Sequence, residues 1–218
     1  MTVAQLESPL TEGTRTLEVR WIFPGELETA VAGWFGRFTA GTESREDLYL
    51  LNPHLPGLSV KVRGGGALEV KMHRGSPGIL EAGGRARGRL ESWQKWSFPC
   101  GRPGHGVGEV VGWRPVHKRR RIGWFAPASG PDLVRVPAPD GEPACTVELT
   151  EVVTCGEAWW SLGFEATGPA DLLRGALEAS AALVFAEAPP GGVKVGMDDS
   201  RSYAEWLWQR PGAAGEEP

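Results

Sequence analysis

Five stretches of the chain alternate between apolar and polar residues with a period of two, the spacing of a strand that turns one face to an apolar core. In 14–23, Leu17, Val19, Trp21 and Phe23 share one phase, while Thr14, Thr16, Glu18 and Arg20 share the other. Leu58, Val60 and Val62 oppose Ser59, Lys61 and Arg63; Leu68, Val70 and Met72 oppose Glu69, Lys71 and His73. Val147 and Leu149 oppose Thr146, Glu148 and Thr150, and Trp160, Leu162, Phe164 and Ala166 oppose Trp159, Ser161, Gly163 and Glu165. A sheet with one wet side gives such a pattern. Here, however, Arg20, Lys61, Arg63, Lys71, Arg119 and Arg121 recur on polar phases with only a few carboxylates beside them. That points inward rather than to bulk water, and predicts an α+β fold: a closed antiparallel β-barrel, or tunnel, with flanking helices and a lumen lined for an anionic ligand.

Helical spacing is confined to three places. Leu27, Val31, Trp34, Phe35 and Phe38 predict an amphipathic helix over 26–38, after the turn at Pro24 and Gly25. Pro169 and Asp171 open a second helix, with Leu172, Leu173, Ala176, Leu177, Ser180, Leu183 and Val184 on one face and Pro189 beyond it. A short last helix, with Ser200 as its cap, runs through Trp206. A short strand is expected at 46–51 and a tight hairpin at Gly64–Gly66. The glycine-rich 75–89, with Arg85, Arg87 and Arg89, reads as a mobile basic loop leading into a strand over 90–98; 101–112 and the proline-rich 127–143 read as further loops. The polar 1–13 is expected to form a flexible arm and 211–218 a disordered tail, leaving a single domain over 14–210.

Composition narrows the function classes. A net charge of −4 over 218 residues argues against nonspecific binding of nucleic acid. Three cysteines make neither a disulfide framework nor a zinc motif, and no apolar stretch suits a signal peptide or a membrane span, which predicts a cytoplasmic protein. Ten tryptophans are an excess. His73 and His117 lack metal-site spacing, and no phosphate-binding loop, dinucleotide fingerprint or nucleophile elbow is present.

Taken in order, TLEVRW at 16–21, EDLYLL at 46–51, LSVKVRGGGALEVK at 58–71, HKRRR at 117–121, ELTEVV at 148–153, SLGFEA at 161–166 and SYAEWL at 202–207 resemble the CYTH, or triphosphate tunnel, superfamily nearly end to end. The resemblance implies an eight-stranded antiparallel tunnel in which basic residues hold a triphosphate and acidic residues hold Mg or Mn; triphosphatases and class IV adenylate cyclases belong to that family. The family's opening Glu-x-Glu-x-Lys would be Thr16, Glu18 and Arg20, so one carboxylate is absent. A later aspartate aligns with Thr150, beside Glu148 and Glu151, and a Glu-x-Glu pair with Gly163 and Glu165. Glu18 and Glu165 are then the candidate metal ligands, a thin set for a hard cation.

The cationic half is complete: Arg20, Lys61, Arg63, Lys71, Arg119 and Arg121 are the candidate ligand-binding residues. The expectation is a binding protein, non-catalytic or weakly catalytic, for a polyphosphate, a nucleotide or an acidic peptide, with Trp93, Trp96 and Trp159 suited to packing against a base or peptide. One alternative is a metal-dependent triphosphatase whose missing acids are Glu69, Glu148 or Glu151. Another is a peptide-binding accessory protein of a biosynthetic pathway, using a sheet edge. The plainest reading of the same charges is an ionic network that closes the barrel, pairing Glu18 and Arg20 with Lys71 and Glu69.

Overall fold

The computed structural model describes residues 13–51, 54–55, 57–64, 66–100, 112–127, 133–136 and 144–210. The expected N-terminal arm, C-terminal tail and glycine-rich 101–111 lie almost entirely outside the described residues, as do most of the loops in 128–143. Among the described residues nine strands alternate with few helices: β1 (Thr14–Pro24), α1 (Thr29–Gly36), β2 (Gly41–Leu50), β3 (Leu58–Arg63), β4 (Ala67–Ala82), β5 (Ala86–Pro99), β6 (Trp113–Pro127), β7 (Leu133–Val136), β8 (Ala144–Thr154), β9 (Glu157–Thr167), α2 (Leu173–Val184) and α3 (Tyr203–Trp208). Their order is β2-β3-β4-β5-β1-β9-β8-β6, and a pairing of β2 with β6 closes the circle; β7 adds to the far end of β6. Every registered strand pair is antiparallel, so the eight-stranded tunnel that the resemblance implies is the architecture observed.

Closure puts each strand's two phases in different surroundings. The apolar phases of β1, β8 and β9 face outward, where Leu17, Val19, Trp21, Val147, Leu149, Leu162 and Phe164 form one core with Val31 and Phe35 of α1 and Leu173, Leu177, Ala181 and Val184 of α2. Trp21 and Phe164 each pack on Phe185, at 5.9 and 5.8 Å between ring centroids. Gly88 lets this wall close: a Cβ there would lie 2.6 Å from the Trp21 ring. A second core of Ile22, Tyr49, Leu51, Val116, Val152, Trp206 and Leu207 fills one end of the lumen, so α3 is a plug.

Four expectations are corrected. The segment 75–89 is not a loop. β4 runs on to Ala82, and a turn at 83–85 with Gly83 and Gly84 at positive φ leads straight into β5. Register shifts at His73–Gly75 and Gly75–Gly78 absorb the extra glycines as bulges, which obscure the period of two. β2 starts at Gly41 rather than 46, because in 41–47 both phases are polar and alternation is invisible. β7 lies inside the expected 127–143 loop. The cap of α3 is Ser202, whose Oγ accepts from the Glu205 N–H at 3.3 Å; Ser200 instead accepts from the Arg89 N–H at 2.8 Å.

Candidate functional site: a charged lumen

The inward phases bring eight basic side chains into the lumen: Arg20, Arg45, Lys61, Arg63, Lys71, Lys95, Lys118 and Arg120. Against them stand Glu18, Glu43, Asp47, Glu69, Glu148 and Glu165. The pairing is dense. Glu148 is shared by Arg20, at 2.6 Å, and Arg120. Asp47 is shared by Arg45 at 3.0 Å, Lys118 at 3.3 Å and Lys61 at 3.4 Å. Glu69 holds Lys61 at 2.9 Å and Arg63 at 3.1 Å, and Glu43 holds Arg45 at 2.7 Å and Arg120 at 2.8 Å. Lys71 bridges Glu18 at 2.6 Å and Glu165 at 3.3 Å, and Glu165 also takes Lys95 at 2.9 Å.

These contacts govern the titration of the buried acids. Burial by itself would raise their pKa values, yet Arg120 and Arg20 hold Glu148 well below the carboxylate range, and Lys118 and Lys61 do the same for Asp47. Burial is likewise outweighed at Glu69, which Lys61 and Arg63 bring down to about 2. Lys118 goes the other way. Its complete burial, with Lys61 and Arg20 near it, drives it well below the usual ammonium value, and Asp47, which also serves Arg45 and Lys61, offsets this only in part. Its Nζ lies 3.8 Å from the Tyr203 ring centroid and donates to the Tyr49 hydroxyl at 2.7 Å, so α3 closes directly over it.

Of the six cations singled out from the sequence, Arg20, Lys61, Arg63 and Lys71 share the lumen, and Arg119 and Arg121 do not. Both of the latter sit on the outer wall against Glu151, at 2.8 and 2.7 Å. Lys118 and Arg120, on the other phase of HKRRR, take the inward places. The signal was Phe125, which shares a phase with Arg119 and Arg121 and lies in the outer core beside the helices. Sequence reasoning also missed Glu43, Arg45, Asp47 and Lys95. The first three fall in the stretch of β2 where both phases are polar. Trp93 and Trp159 face the lumen's α3 end, where Trp159 stacks edge-on with Trp206 at 5.4 Å.

The acids do not suit a divalent metal. Among the described residues no group of three or more His, Cys, Asp or Glu side chains is placed to hold one. Glu18 and Glu165 are register partners on β1 and β9, but the Lys71 ammonium lies between them, and Thr16 Oγ1 also donates to Glu18 at 2.7 Å. At Gly163, where the sequence resemblance leads one to expect an acid, there is no room for one. A Cβ there would stand 2.8 Å from the Arg20 Cζ, so the guanidinium occupies the space a glutamate would need.

The cavity at the end away from α3 is about 270 Å³ and is lined by seven basic residues, Arg20, Arg45, Lys61, Arg63, Lys71, Lys95 and Arg120, against four acids, Glu43, Glu69, Glu148 and Glu165. The fold is a basic tunnel barrel. No family model and no curated protein matches the chain. Solved structures do match in outline. A conserved hypothetical protein from Pyrococcus furiosus aligns at 17% identity and TM-score 0.45, over 86% of this chain and 98% of its own. A protein from Pyrococcus horikoshii aligns at 14% identity and TM-score 0.42, over 87% and 97%. A putative adenylyl cyclase from Hippeastrum, described as having a dominant triphosphatase activity, aligns at 9% identity and TM-score 0.37, over 83% and 92%. At these values no chemistry passes from those proteins to this one, and the barrel's own residues must supply it. Among the described residues no helix is long and apolar enough to cross a membrane.

Proposed function

We propose that this protein is a CYTH-like tunnel protein that binds a short polyphosphate, or the phosphate chain of a nucleotide, without a metal ion and with little or no hydrolysis. The observation that carries the reading is the cavity away from α3, where seven basic groups face four acids within about 270 Å³, close to the lower end of small-ligand sites. An oxyanion chain entering there exchanges carboxylate partners for phosphate oxygens. The guanidinium of Arg63, 40% exposed and 3.6 Å from Glu43, is the most accessible first contact. Arg120 and Lys61 lie deeper, and Lys71 ends the path by holding the two acids together. Phosphoryl transfer depends on positioning and on neutralising charge at the transferred group. With Glu18 and Glu165 bridged by a lysine, the tunnel offers charge for binding, and its described residues include no acid cluster of the kind a metal clamp requires.

The test incubates the purified protein with tripolyphosphate, with and without Mg²⁺ or Mn²⁺, following phosphate release and the thermal midpoint together. The expected result is a rise in midpoint that needs no metal, with no release. Metal-dependent release abolished by Glu18→Gln would establish the triphosphatase reading instead. Neither stabilisation nor release would remove phosphate ligands altogether and direct attention to acidic peptides.

A further inference from the structure

Two strands outrun the barrel. β3 leaves β4 at Met72 and β1 leaves β5 at Glu91, so the far end of β4 and the start of β5 continue together as a hairpin. The chain after α2 closes the split this leaves between β5 and β1: Val195 pairs with Ala86, Ser200 pairs with Trp21, and the Arg87 N–H donates to the Val195 carbonyl at 2.9 Å. Leu80, Ala82, Ala86 and Val195 turn one phase of this patch into the helix-side core. The other phase is exposed and charged.

Between the hairpin and residues 188–196 lies a cleft of about 480 Å³ that shares no lining residue with the lumen. Arg85, Arg87 and Lys194 line it, with Glu81 as their counterweight among the described residues. All four side chains belong to exposed residues, so a partner reaches them directly. Arg87 and Glu81, register partners across the hairpin, form an ion pair at 3.3 Å with side chains 59% and 71% exposed. Arg85 Nη1 donates to the Phe185 carbonyl at 3.2 Å, which fixes that guanidinium at the edge of the cleft. Lys194 has no carboxylate partner among the described residues.

Exposure decides what such a cleft holds. A single exposed ion pair strengthens binding by no more than about fivefold, so one small anion would not stay. A segment with several acids adds such contacts together, and displacing Glu81 from Arg87 costs it equally little. Arg85 and Arg87 lie two positions apart where β5 begins, and acids at alternate positions of an extended chain have a matching separation of about 6.5 Å. A nucleic acid fits less well, because three cations on a chain of net charge −4 leave most of its phosphates unanswered and repelled.

We propose that the cleft beside the β4–β5 turn is a docking site for an extended acidic segment of a partner protein, held by Arg85, Arg87 and Lys194 and opposed by Glu81. The proposal does not depend on the tunnel's ligand.

The test adds full-length protein to a fluorescent peptide of alternating Glu and Thr at low salt and follows anisotropy, with the same peptide carrying Gln for Glu as the control. Saturable binding that fades as salt is raised is expected for the acidic peptide alone. Arg87→Gln should weaken it by up to about fivefold, the worth of one exposed pair, and Glu81→Gln, which frees Arg87, should tighten it by a similar factor. Arg87→Glu combined with Lys194→Glu should abolish it while leaving tripolyphosphate binding as in the wild type, and Lys61→Ala in the tunnel should leave peptide binding unchanged. Thermal midpoints and circular dichroism check that each variant is folded. Absence of saturable binding to the wild type, equal binding of the Gln peptide, or tighter capture of a single-stranded RNA of equal charge would overturn the proposal. So would an affinity lost in Lys61→Ala and kept in the charge-reversed variant, which would place the peptide in the tunnel.

Discussion

The two ends of this barrel's interior handle polar groups in opposite ways. Away from α3, each lumen cation has a carboxylate within reach, and the acids are so well served that Glu69 is drawn down to about 2. Beside α3 the wall of Leu50, Leu51 and Leu58 is apolar, three nitrogens, Trp93 Nε1, His73 Nε2 and Arg89 Nε, have no partner among the described residues, and the Arg89 guanidinium divides itself between Glu91 and Glu205. Burial raises the Glu91 carboxyl there, and Arg89 does not fully offset it. The lesson is that a charged interior is not by itself a ligand site. The saturated end can take an anion only by exchanging partners, with a surplus of positive charge as the driving force.

Breaking the saturated end should have the largest effect. Glu148→Ala leaves Arg20 and Arg120 facing each other in the interior, where side-chain exposure is near 10% for all three. Removing one partner from such a buried ion pair costs about 3–5 kcal/mol, read by chemical denaturation. Placing an acid at Gly163 sharpens the same contrast: Gly163→Glu must displace the Arg20 guanidinium, and overpacking of this kind costs about 1–3 kcal/mol. Calorimetry with Mg²⁺ should still show no binding to this variant.

The two ends should also respond to pH with opposite signs. Glu69 titrates near 4.5 when unfolded and at about 2 when folded, so its contribution to stability is complete above 4.5 and is lost as pH falls toward 2. Glu91 has a raised folded pKa, so its ionisation costs stability as pH rises, and Glu91→Gln should lift the thermal midpoint at pH 7 relative to wild type, with the gain shrinking toward pH 3. Thermal midpoints measured across that range check both signs. The smallest effect belongs to the outer wall. Arg119→Ala, on a side chain 62% exposed, should leave both the midpoint and tripolyphosphate affinity at the wild-type values, while Arg120→Ala lowers both.

That last pair shows how far the sequence could be read. Alternation disclosed β1, β3, the first half of β4, β8 and β9 and their ionic phases because each carries a continuous apolar phase that packs or shields one face. It failed over 41–47, where Thr42, Ser44 and Glu46 face out and Glu43, Arg45 and Asp47 face in, leaving no apolar phase to mark the strand. Two of the six lumen acids, Glu43 and Asp47, were hidden with them, which made the tunnel look more basic than it is. In β6 both phases of HKRRR are basic, so the period was plain and its direction was not; only Phe125 on the outer core fixes it. The cleft beside the β4–β5 turn was half visible. Arg85 and Arg87 stood out among the glycines of 75–89, but Lys194 joins them only because Val195 pairs with Ala86, a contact between segments more than a hundred residues apart.

The most direct measurement is a calorimetric titration of tripolyphosphate into protein held in EDTA, at two salt concentrations, for the wild type and for Arg120→Ala. Metal-independent saturable binding that weakens with salt and falls about tenfold or more in the variant is the predicted result, since a hydrogen bond to a charged group is worth about 1.5–3 kcal/mol. No heat in EDTA with binding restored by Mg²⁺, or an affinity that Arg120→Ala leaves unchanged, would contradict it.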